Sequence, residues 1–310
     1  MHFLSILWNP SEGINLGFYT IQYYSLMFVI AFVVGWFIMK SIYKNENVSL
    51  EKLDSLFIYM VLAILIGARL GHVIFYQPEL ITEDFFSIFL PISTVDGIKF
   101  TGFRGLASHG AAIGVIIAMF IYSKKVLKQP ILWVLDRVVV PVAFGAILVR
   151  FGNFMNSEII GKPTSEDFAF GVRFIRNKIN SYEAVKITGI KDVNEAYKAI
   201  ETDPQYADAL ASVPFSHPAQ LYEAAGYVFV FLLLFYVYWK TEKRKQRGYL
   251  FGLFLVALMS VRFVAEFYKK SQQGFEDMLG NTLSTGQWLS IPFIIAGIYF
   301  MRQSTKKKIE

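Results

Sequence analysis

Three arginines, Arg69, Arg150 and Arg262, lie within or at the ends of long apolar stretches of this sequence. Ionisable side chains are costly inside a membrane, and those that occur there usually face the interior of a helix bundle. A guanidinium group presents a planar fork of donors that matches the oxygens of phosphate and carboxylate groups. These arginines therefore indicate a site for an anionic ligand, such as the headgroup of a phospholipid.

Further polar residues accompany the arginines at the spacing of one helical turn. His72 follows Arg69 by three residues, so the two share a helix face. Asn153 follows Arg150 at the same spacing. More polar side chains stand near the ends of the other apolar stretches: Tyr24, His109, His217, Gln220, Glu223, Glu266 and Gln287. Because so many stretches contribute, we expect their polar groups to meet at one level of the membrane.

Each of these residues also has a purely structural explanation. The four-residue spacing from Arg262 to Glu266 suits an ion pair along a helix, and Arg69 could extend its charge toward the membrane surface. A lone histidine such as His109 is more often hydrogen-bonded within the packing, and Arg150 could anchor a helix end. The convergence of several such groups is harder to explain structurally than any one of them.

The elements that must position these side chains are membrane-spanning helices. The sequence is 55% hydrophobic and only 17% charged, whereas a soluble domain carries about 25% charged residues. A helix needs roughly 20 apolar residues to cross a bilayer, and lipid offers no partner for an unpaired backbone amide. The sequence predicts about seven such helices, at 21–40, 55–76, 105–123, 130–150, 218–239, 247–268 and 283–301.

The distribution of basic residues sets the expected orientation of these helices. Lysines and arginines cluster at one set of helix ends, and the short cytoplasmic segments of membrane proteins carry such an excess. With seven helices, this places the N-terminus outside and the C-terminus in the cytoplasm. The net charge of +6 is therefore explained by the basic residues at the cytoplasmic helix ends, and we expect no nucleic-acid partner. The clusters are Lys40, Lys44, Lys52; Lys124, Lys125, Lys128; Lys240, Lys243, Arg244, Lys245, Arg247; and Arg302, Lys306, Lys307, Lys308.

The chain divides into four expected segments. Residues 1–156 hold the first four transmembrane helices together with an interfacial outer loop at 78–104, and residues 217–303 hold the last three helices. Residues 157–216 are the one sizeable polar segment and should form a small outer α/β subdomain. Residues 304–310 form a basic cytoplasmic tail.

Local patterns indicate the elements of the segment 157–216. FAFGVRFIR is typical of a short strand, and VNEAYKAI carries its apolar residues at helical spacing. Pro204 should separate two short helical pieces. The fold class expected for the whole chain is therefore an all-α integral membrane protein with a small outer subdomain.

The sequence contains no cysteine and only four histidines. Disulfides, thiolate metal sites and a cysteine nucleophile belonging to the protein itself are therefore excluded. A metal site built from histidine is not expected with so few ligands available. We expect neither a metal nor another cofactor.

Longer motifs give this sequence a specific resemblance. RFGNFMNSEIIG, from Arg150 to Gly161, is similar to the RxGNFxNxExxG signature of the prolipoprotein diacylglyceryl transferases. The ordered set of motifs covers most of the chain, so the sequence is identified as a member of that family. The further segments that match it are YYSLMF with Tyr24, GARLGHVIFY with Arg69, GLASHGAAIG with His109, HPAQLYE at 217–223, RFVAE with Arg262, and TGQWLSIP.

The resemblance implies an enzyme of the bacterial cytoplasmic (inner) membrane with its active site toward the outer side. Its reaction would move the diacylglyceryl group of phosphatidylglycerol to the lipobox cysteine of a preprolipoprotein, forming a thioether and releasing glycerol phosphate. The nucleophile is then the thiol of the substrate, so the enzyme needs no cysteine. A free thiol has a pKa of about 8.5 and attacks well only as the thiolate, so a base or a positive field must assist it.

The matched positions carry the implied roles. His109 is the candidate base, and Glu158 or Glu266 could orient it or take the thiol proton instead. Arg150 and Arg262 would bind the headgroup and stabilise the leaving phosphate. The remaining candidates are Tyr24 as a catalytic residue and, for binding phosphatidylglycerol, Asn153, Asn156, Gly161, Arg69 and Gln220.

Two points stay open at this stage. Lys269 stands where the family usually has arginine, so any headgroup contact that it makes would lack the bidentate fork. An anion or lipid transporter would also place arginines inside helices, but its polar groups should provide a route to both faces. The cytoplasmic half is mostly apolar apart from Asp136 and Arg137, and no clear inverted repeat is visible, which favours the transferase.

Overall fold

The computed structural model describes residues 6–17, 20–90, 92–94, 97–100, 105–270 and 282–304. These residues form mostly α-helix, with three small β-sheets. They fall into two compact units, one of Met1–Gly35 with Val138–Glu310 and the other of Trp36–Arg137. The helical membrane architecture expected from the sequence is confirmed.

Six helices in the described part of the chain are long and apolar enough to cross a membrane. They are Tyr23–Asn45, Leu50–Tyr76, His109–Leu127, Ile131–Met155, Ala219–Lys240 and Tyr249–Tyr268, and each coincides with an expected span. The remaining expected span, 283–301, is a helix at Thr285–Ser304 that is not among these six. The total of seven spans and the orientation of the termini therefore stay predictions.

The α-helices of the described residues follow one another along the chain. They are α1 (Tyr23–Asn45), α2 (Leu50–Tyr76), α3 (Leu80–Glu83), α4 (Phe85–Phe89), α5 (Ser108–Tyr122), α6 (Ile131–Met155), α7 (Ile175–Lys178), α8 (Ser181–Thr188), α9 (Val193–Thr202), α10 (Ala207–Ala211), α11 (Ala219–Lys240), α12 (Tyr249–Ala265) and α13 (Thr285–Ser304). A π-helical turn at Ser123–Leu127 extends α5, and 3₁₀ turns lie at Pro204–Tyr206, Glu242–Lys245 and Glu266–Tyr268.

The strands are short. They are β1 (Ile6–Trp8), β2 (Gly13–Asn15), β3 (Thr20–Gln22), β4 (Ile92–Ser93), β5 (Lys99–Phe100), β6 (Val172–Phe174) and β7 (Phe215–Ser216). Strands β2 and β3 form one antiparallel pair, and β4 and β5 form another. Of the expected outer loop 78–104, residues 91, 95, 96 and 101–104 lie outside the described residues, as do residues 305–310 of the expected tail.

Helices α2 and α5 of the unit Trp36–Arg137 pack with their backbones in contact. A Cβ atom added to Gly71 would lie 2.6 Å from the Cα of Gly110, and one added to Gly67 would lie 2.6 Å from the Gly110 carbonyl oxygen. Small residues permit this close approach in membranes, where apolar side chains gain little by leaving lipid. The glycines thereby fix the start of α5, which carries His109, against α2.

The segment between α6 and α11 contains short strands and helices, and its assignment to an outer subdomain stays a prediction. As the sequence predicts, a strand, β6, lies within FAFGVRFIR and Pro204 separates α9 from α10. Strand β6 pairs antiparallel with β7. Helix α9 turns Ala196, Tyr197 and Ile200 into a buried apolar cluster. The sequence did not predict that β1, near the N-terminus, adds a third, parallel strand beside β6.

Candidate functional site

The site is built around Arg150, which lies one turn before the end of α6. Its Nε is 2.9 Å from Oε2 of Glu223, on the second turn of α11. The Glu223 side chain has no exposed surface, whereas that of Arg150 is 16% exposed. The contact is an ion pair without hydrogen-bond geometry at Oε2, and attraction between opposite charges away from water is strong, so this carboxylate holds the guanidinium beside it.

Lys269 connects Glu223 to a second carboxylate. Its Nζ lies 3.1 Å from Oε2 of Glu223 and 3.0 Å from Oε1 of Glu266. The hydroxyl of Ser284 donates to the other oxygen of Glu266 over 3.0 Å. The Lys269 side chain is only 7% exposed, and two carboxylates compensate the cost of burying its charge.

The end of α12 explains why Glu266 pairs with Lys269. The α-helix stops at Ala265, and residues 266–268 form a tighter 3₁₀ turn, which brings the lysine back over the glutamate. The ion pair that the four-residue spacing suggested between Arg262 and Glu266 is not formed, although the structure describes both residues. That structural explanation of the two residues is therefore wrong. The Glu266 N–H still donates to the Arg262 carbonyl, but the glutamate side chain is engaged by Lys269 and Ser284 instead.

Amides connect Arg150 to a third carboxylate. Nη1 of Arg150 donates to Oδ1 of Asn153 over 3.1 Å. Nδ2 of Asn153 donates to Oε2 of Glu158, and Nδ2 of Asn156 donates to Oε1 of the same residue, each over 3.3 Å. Asn153 thus has a cation at its oxygen and an anion at its nitrogen, which determines the orientation of its amide.

Two tyrosines complete this cluster. Tyr24 of α1 is hydrogen-bonded to Asn153 and lies near Glu158. It also packs on Gly152, where an added Cβ atom would lie 2.8 Å from Cδ2 of the tyrosine ring. Tyr227 donates its hydroxyl proton to Oε1 of Glu223 over 3.2 Å, while Oε2 of this buried carboxylate lies in ion-pair contact with Arg150 and Lys269.

Arg262 lies on α12 in the neighbourhood of Tyr227. Its Nε is buried and has no hydrogen-bond partner within the ranges that the structure describes. Buried donors are normally hydrogen-bonded, and each exception calls for an explanation. A ligand oxygen would satisfy this donor.

Gly161 closes the signature segment in a position that only glycine can occupy. Its N–H donates to the His217 carbonyl over 2.8 Å, and it forms an antiparallel bridge with Lys269. An added Cβ atom would lie 2.7 Å from the Tyr268 carbonyl oxygen. The absence of a side chain lets three chain segments meet beside the carboxylate cluster.

His217 lies just before α11, among aromatic rings. Its ring centroid is 4.8 Å from that of Phe168 and 5.3 Å from that of Tyr268, and its Nδ1 is 3.1 Å from the Tyr222 hydroxyl. Burial lowers the pKa of His217, because desolvation disfavours the charged imidazolium. Burial therefore favours the neutral form of the ring.

Arg69 belongs to the unit Trp36–Arg137, where it binds backbone carbonyls. Its Nη2 donates to Ser87 over 2.7 Å, its Nε to Ile88 over 3.2 Å and its Nη1 to Gly105 over 3.4 Å. The Ala107 N–H donates to the Ala68 carbonyl over 2.9 Å. The arginine thus holds α4 and the chain just before α5 against α2.

His109 lies on the first turn of α5 and is exposed. Its ring centroid is 5.3 Å from that of Phe75 and 5.8 Å from that of Tyr76. His72 stacks on the same tyrosine at 5.4 Å and lies 3.2 Å from Oε1 of Gln77. An exposed imidazole held by aromatic rings is available for proton transfer.

Most of the cluster was expected from the motifs, but its centre had no predicted role. Glu223 was expected only as a polar residue at a helix start, and Lys269 only as a departure from the family. The motif HPAQLYE contains Glu223, so the sequence did offer a signal for the role of this carboxylate as an ion-pair partner.

No group of three His, Asp or Glu side chains among the described residues is arranged to bind a metal ion. The candidates that share the unit of Arg150 are Tyr24, Asn153, Asn156, Glu158, Gly161, Gln220, Arg262 and Glu266, while Arg69 and His109 lie in the other unit.

The spanning helices and this cluster define a class, a multi-pass membrane protein with arginines and carboxylates buried at its helix ends. The chain belongs to the prolipoprotein diacylglyceryl transferase family, whose sequence model matches residues 12–302. This confirms the resemblance inferred from the motifs. It also identifies the chain as a transferase of bacterial lipoprotein biosynthesis.

Individual relatives are similar to the chain along almost its whole length. The chain is 37% identical to a phosphatidylglycerol–prolipoprotein diacylglyceryl transferase of Bacteroides fragilis, over 98% of this chain and 97% of the relative. Proteins of the same name from Tolumonas auensis and Chloroherpeton thalassium are 36% and 34% identical. These alignments cover 98% and 97% of this chain, and 99% and 95% of the relatives.

Proposed function

We propose that this chain transfers the diacylglyceryl group of phosphatidylglycerol to the lipobox cysteine of preprolipoproteins, at the outer side of the bacterial inner membrane. The cysteine sulfur attacks the glyceryl carbon that carries the phosphate, so that a carbon–sulfur bond forms as the carbon–oxygen bond breaks. The bonding electron pair leaves with glycerol phosphate, and the thiol proton passes to a base. The names of the relatives support phosphatidylglycerol and prolipoprotein as the substrates.

The observation that carries this proposal is the fixed guanidinium of Arg150. Glu223 forms an ion pair beside its Nε and Asn153 accepts a hydrogen bond from its Nη1, so the guanidinium has partners on two sides before any ligand arrives. Donors that are already oriented stabilise developing charge without reorganisation during the reaction. Arg262, whose buried Nε has no partner among the described residues, offers a second donor to the leaving phosphate.

The proposed acceptor of the thiol proton is His109. Its imidazole is exposed on the first turn of α5, and an accessible imidazole suits a general base. Glu158 and Glu266 remain alternatives for this step, because both carboxylates belong to the cluster around Arg150. The two possibilities differ in their effect on the pH dependence of transfer.

The other candidates divide into two groups. Tyr24, Asn153, Asn156 and Gly161 surround Arg150 and Glu158, which supports a role in shaping the headgroup pocket. Arg69 and Gln220 instead donate to backbone carbonyls, which favours positioning over direct contact with lipid.

A transfer assay with the purified full chain tests the proposal. The substrates are phosphatidylglycerol labelled in its acyl chains and a peptide with a lipobox cysteine, and a peptide carrying serine at that position is the control. Label on the cysteine peptide alone is the expected result. Absence of label with folded protein would contradict the proposal, and movement of the labelled lipid across vesicles would then indicate the transporter.

A further inference from the structure

The backbone around Glu158 adopts a conformation that its sequence disfavours. Ser157 and Ile159, the residues on either side of it, both have φ at 55°. The left-handed region is uncommon for any residue with a Cβ atom, and a β-branched residue there is a genuine outlier. Such strain persists only where surrounding contacts over-determine the conformation, and it concentrates at functional sites.

Several hydrogen bonds hold this turn, which we define as residues 157–159. The Glu158 N–H donates to the Asn153 carbonyl, and Nδ2 of Asn177 donates to the Ser157 carbonyl, each over 2.9 Å. Nε2 of Gln220 donates to the carbonyl of Glu158 itself. Gln220 therefore holds the peptide group that lies between the glutamate and the strained isoleucine.

Gln220 is suited to hold the turn rigidly. It lies on the first turn of α11 and has no exposed surface. Burying a primary amide is costly unless the amide makes hydrogen bonds. The amide nitrogen of this side chain donates to the turn, while its Oε1 has no hydrogen-bond partner among the described residues. An apolar side chain of similar size would suffice if the position served packing alone.

The turn places the carboxylate that orients the arginine. Glu158 receives hydrogen bonds from Asn153 and Asn156, and Asn153 in turn accepts from Arg150. A relaxed backbone at residues 157–159 would rotate the carboxylate away from these amides. Asn153 would then lose the anion that orients its amide toward Arg150.

We infer that Gln220 is a positioning residue, which holds the strained turn 157–159 so that Glu158, through Asn153, keeps Arg150 in its reactive orientation. The inference rests on the proposed function, because it gives Arg150 its role in transfer. Gln220 then acts on the reaction without touching the substrate.

A suppressor experiment tests the inference. Gln220→Leu removes the donor and should lower kcat of transfer by up to about 10²-fold, the scale of a small misplacement of a reactive group. Ile159→Gly removes the strain at residue 159, since glycine adopts this φ freely, and should leave kcat near the wild-type value. The double variant should regain most of the lost rate, because the residue next to the peptide group that Gln220 holds is no longer strained. The matched control, Ile159→Val, retains the β-branch and should not rescue Gln220→Leu.

Hydrogen exchange of the backbone amides in residues 157–161 gives a readout that does not depend on transfer. Gln220→Leu should speed this exchange, and the addition of Ile159→Gly should slow it again. Wild-type exchange in Gln220→Leu, or an absence of rescue by Ile159→Gly, would overturn the inference. If the wild-type chain transfers no label, the proposed function fails, and the exchange rates alone decide whether Gln220 holds the turn.

Discussion

Oε2 of Glu223 lies 2.9 Å from Nε of Arg150, and the glutamate has no exposed surface. Because the carboxylate lies against Nε, the terminal nitrogens of the arginine are the donors placed to meet a ligand. Glu223 therefore positions Arg150, and a second ion pair, with Lys269, helps to balance the buried negative charge of Glu223. Three buried or half-buried groups, on α6, α11 and the chain after α12, must form together for the arginine to be placed.

Replacing Arg150 by glutamine should abolish transfer and also weaken the fold. The loss of one oriented donor costs about 10²–10³ in rate. Glu223 keeps Lys269 as a partner, so the loss of stability should be smaller than the ~3–5 kcal/mol of an uncompensated buried charge. Both quantities are measured on detergent-purified protein, by label transfer and by thermal unfolding.

The double variant Arg150→Gln, Glu223→Gln separates these two effects. Neutralising both partners removes the unbalanced carboxylate, so the unfolding temperature should recover toward that of the wild type. Transfer should stay abolished, because the guanidinium is still missing. A recovery of transfer in the double variant would show that Arg150 serves the fold alone.

Lys269 should tolerate arginine but not methionine. Lys269→Arg keeps a cation between Glu223 and Glu266, so both stability and transfer should stay within severalfold of the wild type. Lys269→Met leaves two buried carboxylates with one ion-pair partner between them and should cost about 3–5 kcal/mol. Thermal unfolding of the two variants side by side measures this difference. Equal stability of the methionine variant would show that the lysine charge does not support the cluster.

His109 and His72 form a matched pair for testing the base. Both contact Tyr76, but only His109 lies in the segment that matches the family around its histidine. His109→Gln should lower transfer by about 10²–10⁴, whereas His72→Gln should lower it much less. If His109→Gln keeps the wild-type pH profile and rate, the proton goes to Glu158 or Glu266 instead.

The membrane helices were predictable because they depend on long apolar stretches, a local property of the sequence. Arg150, Asn153 and Glu158 were predictable as a group for a similar reason, since one continuous motif contains all three. The ion-pair partner of Arg150 was not predictable, because the contact with Glu223 joins two separate helices and no sequence periodicity indicates it.

At two places the local conformation differs from what the sequence predicts. The spacing of Arg262 and Glu266 indicates an ion pair, but the 3₁₀ turn at Glu266–Tyr268 brings Lys269 to the Glu266 carboxylate instead. The turn at Ile159 runs against the backbone preference of a β-branched residue. In both places contacts from other segments determine the local conformation, and those contacts are known only from the folded structure.

Gly71→Ala should destabilise the protein by overpacking α2 against α5. The added methyl group would lie 2.6 Å from the Cα of Gly110, and backbone on both sides leaves no side chain to move. Overpacking typically costs about 1–3 kcal/mol, and here it would also shift the start of α5 with His109. Gly35→Ala is the control, because its methyl group would make an ordinary contact of 3.6 Å with Pro141. Equal unfolding temperatures for the two variants would contradict this account of the helix contact.

His217 should make the fold sensitive to mild acid. Burial lowers the pKa of this residue, which precedes α11, below the ordinary histidine value of about 6.5. Between the folded and the unfolded pKa, the unfolded chain binds more protons than the native one, so stability falls as pH decreases through this window. Thermal unfolding at pH 7.5 and at about pH 5 should therefore show a larger loss for the wild type than for His217→Asn, whose amide can still face the Tyr222 hydroxyl. An identical loss in both proteins would mean that other groups cause the acid sensitivity, and that His217 titrates alike in the folded and unfolded chains.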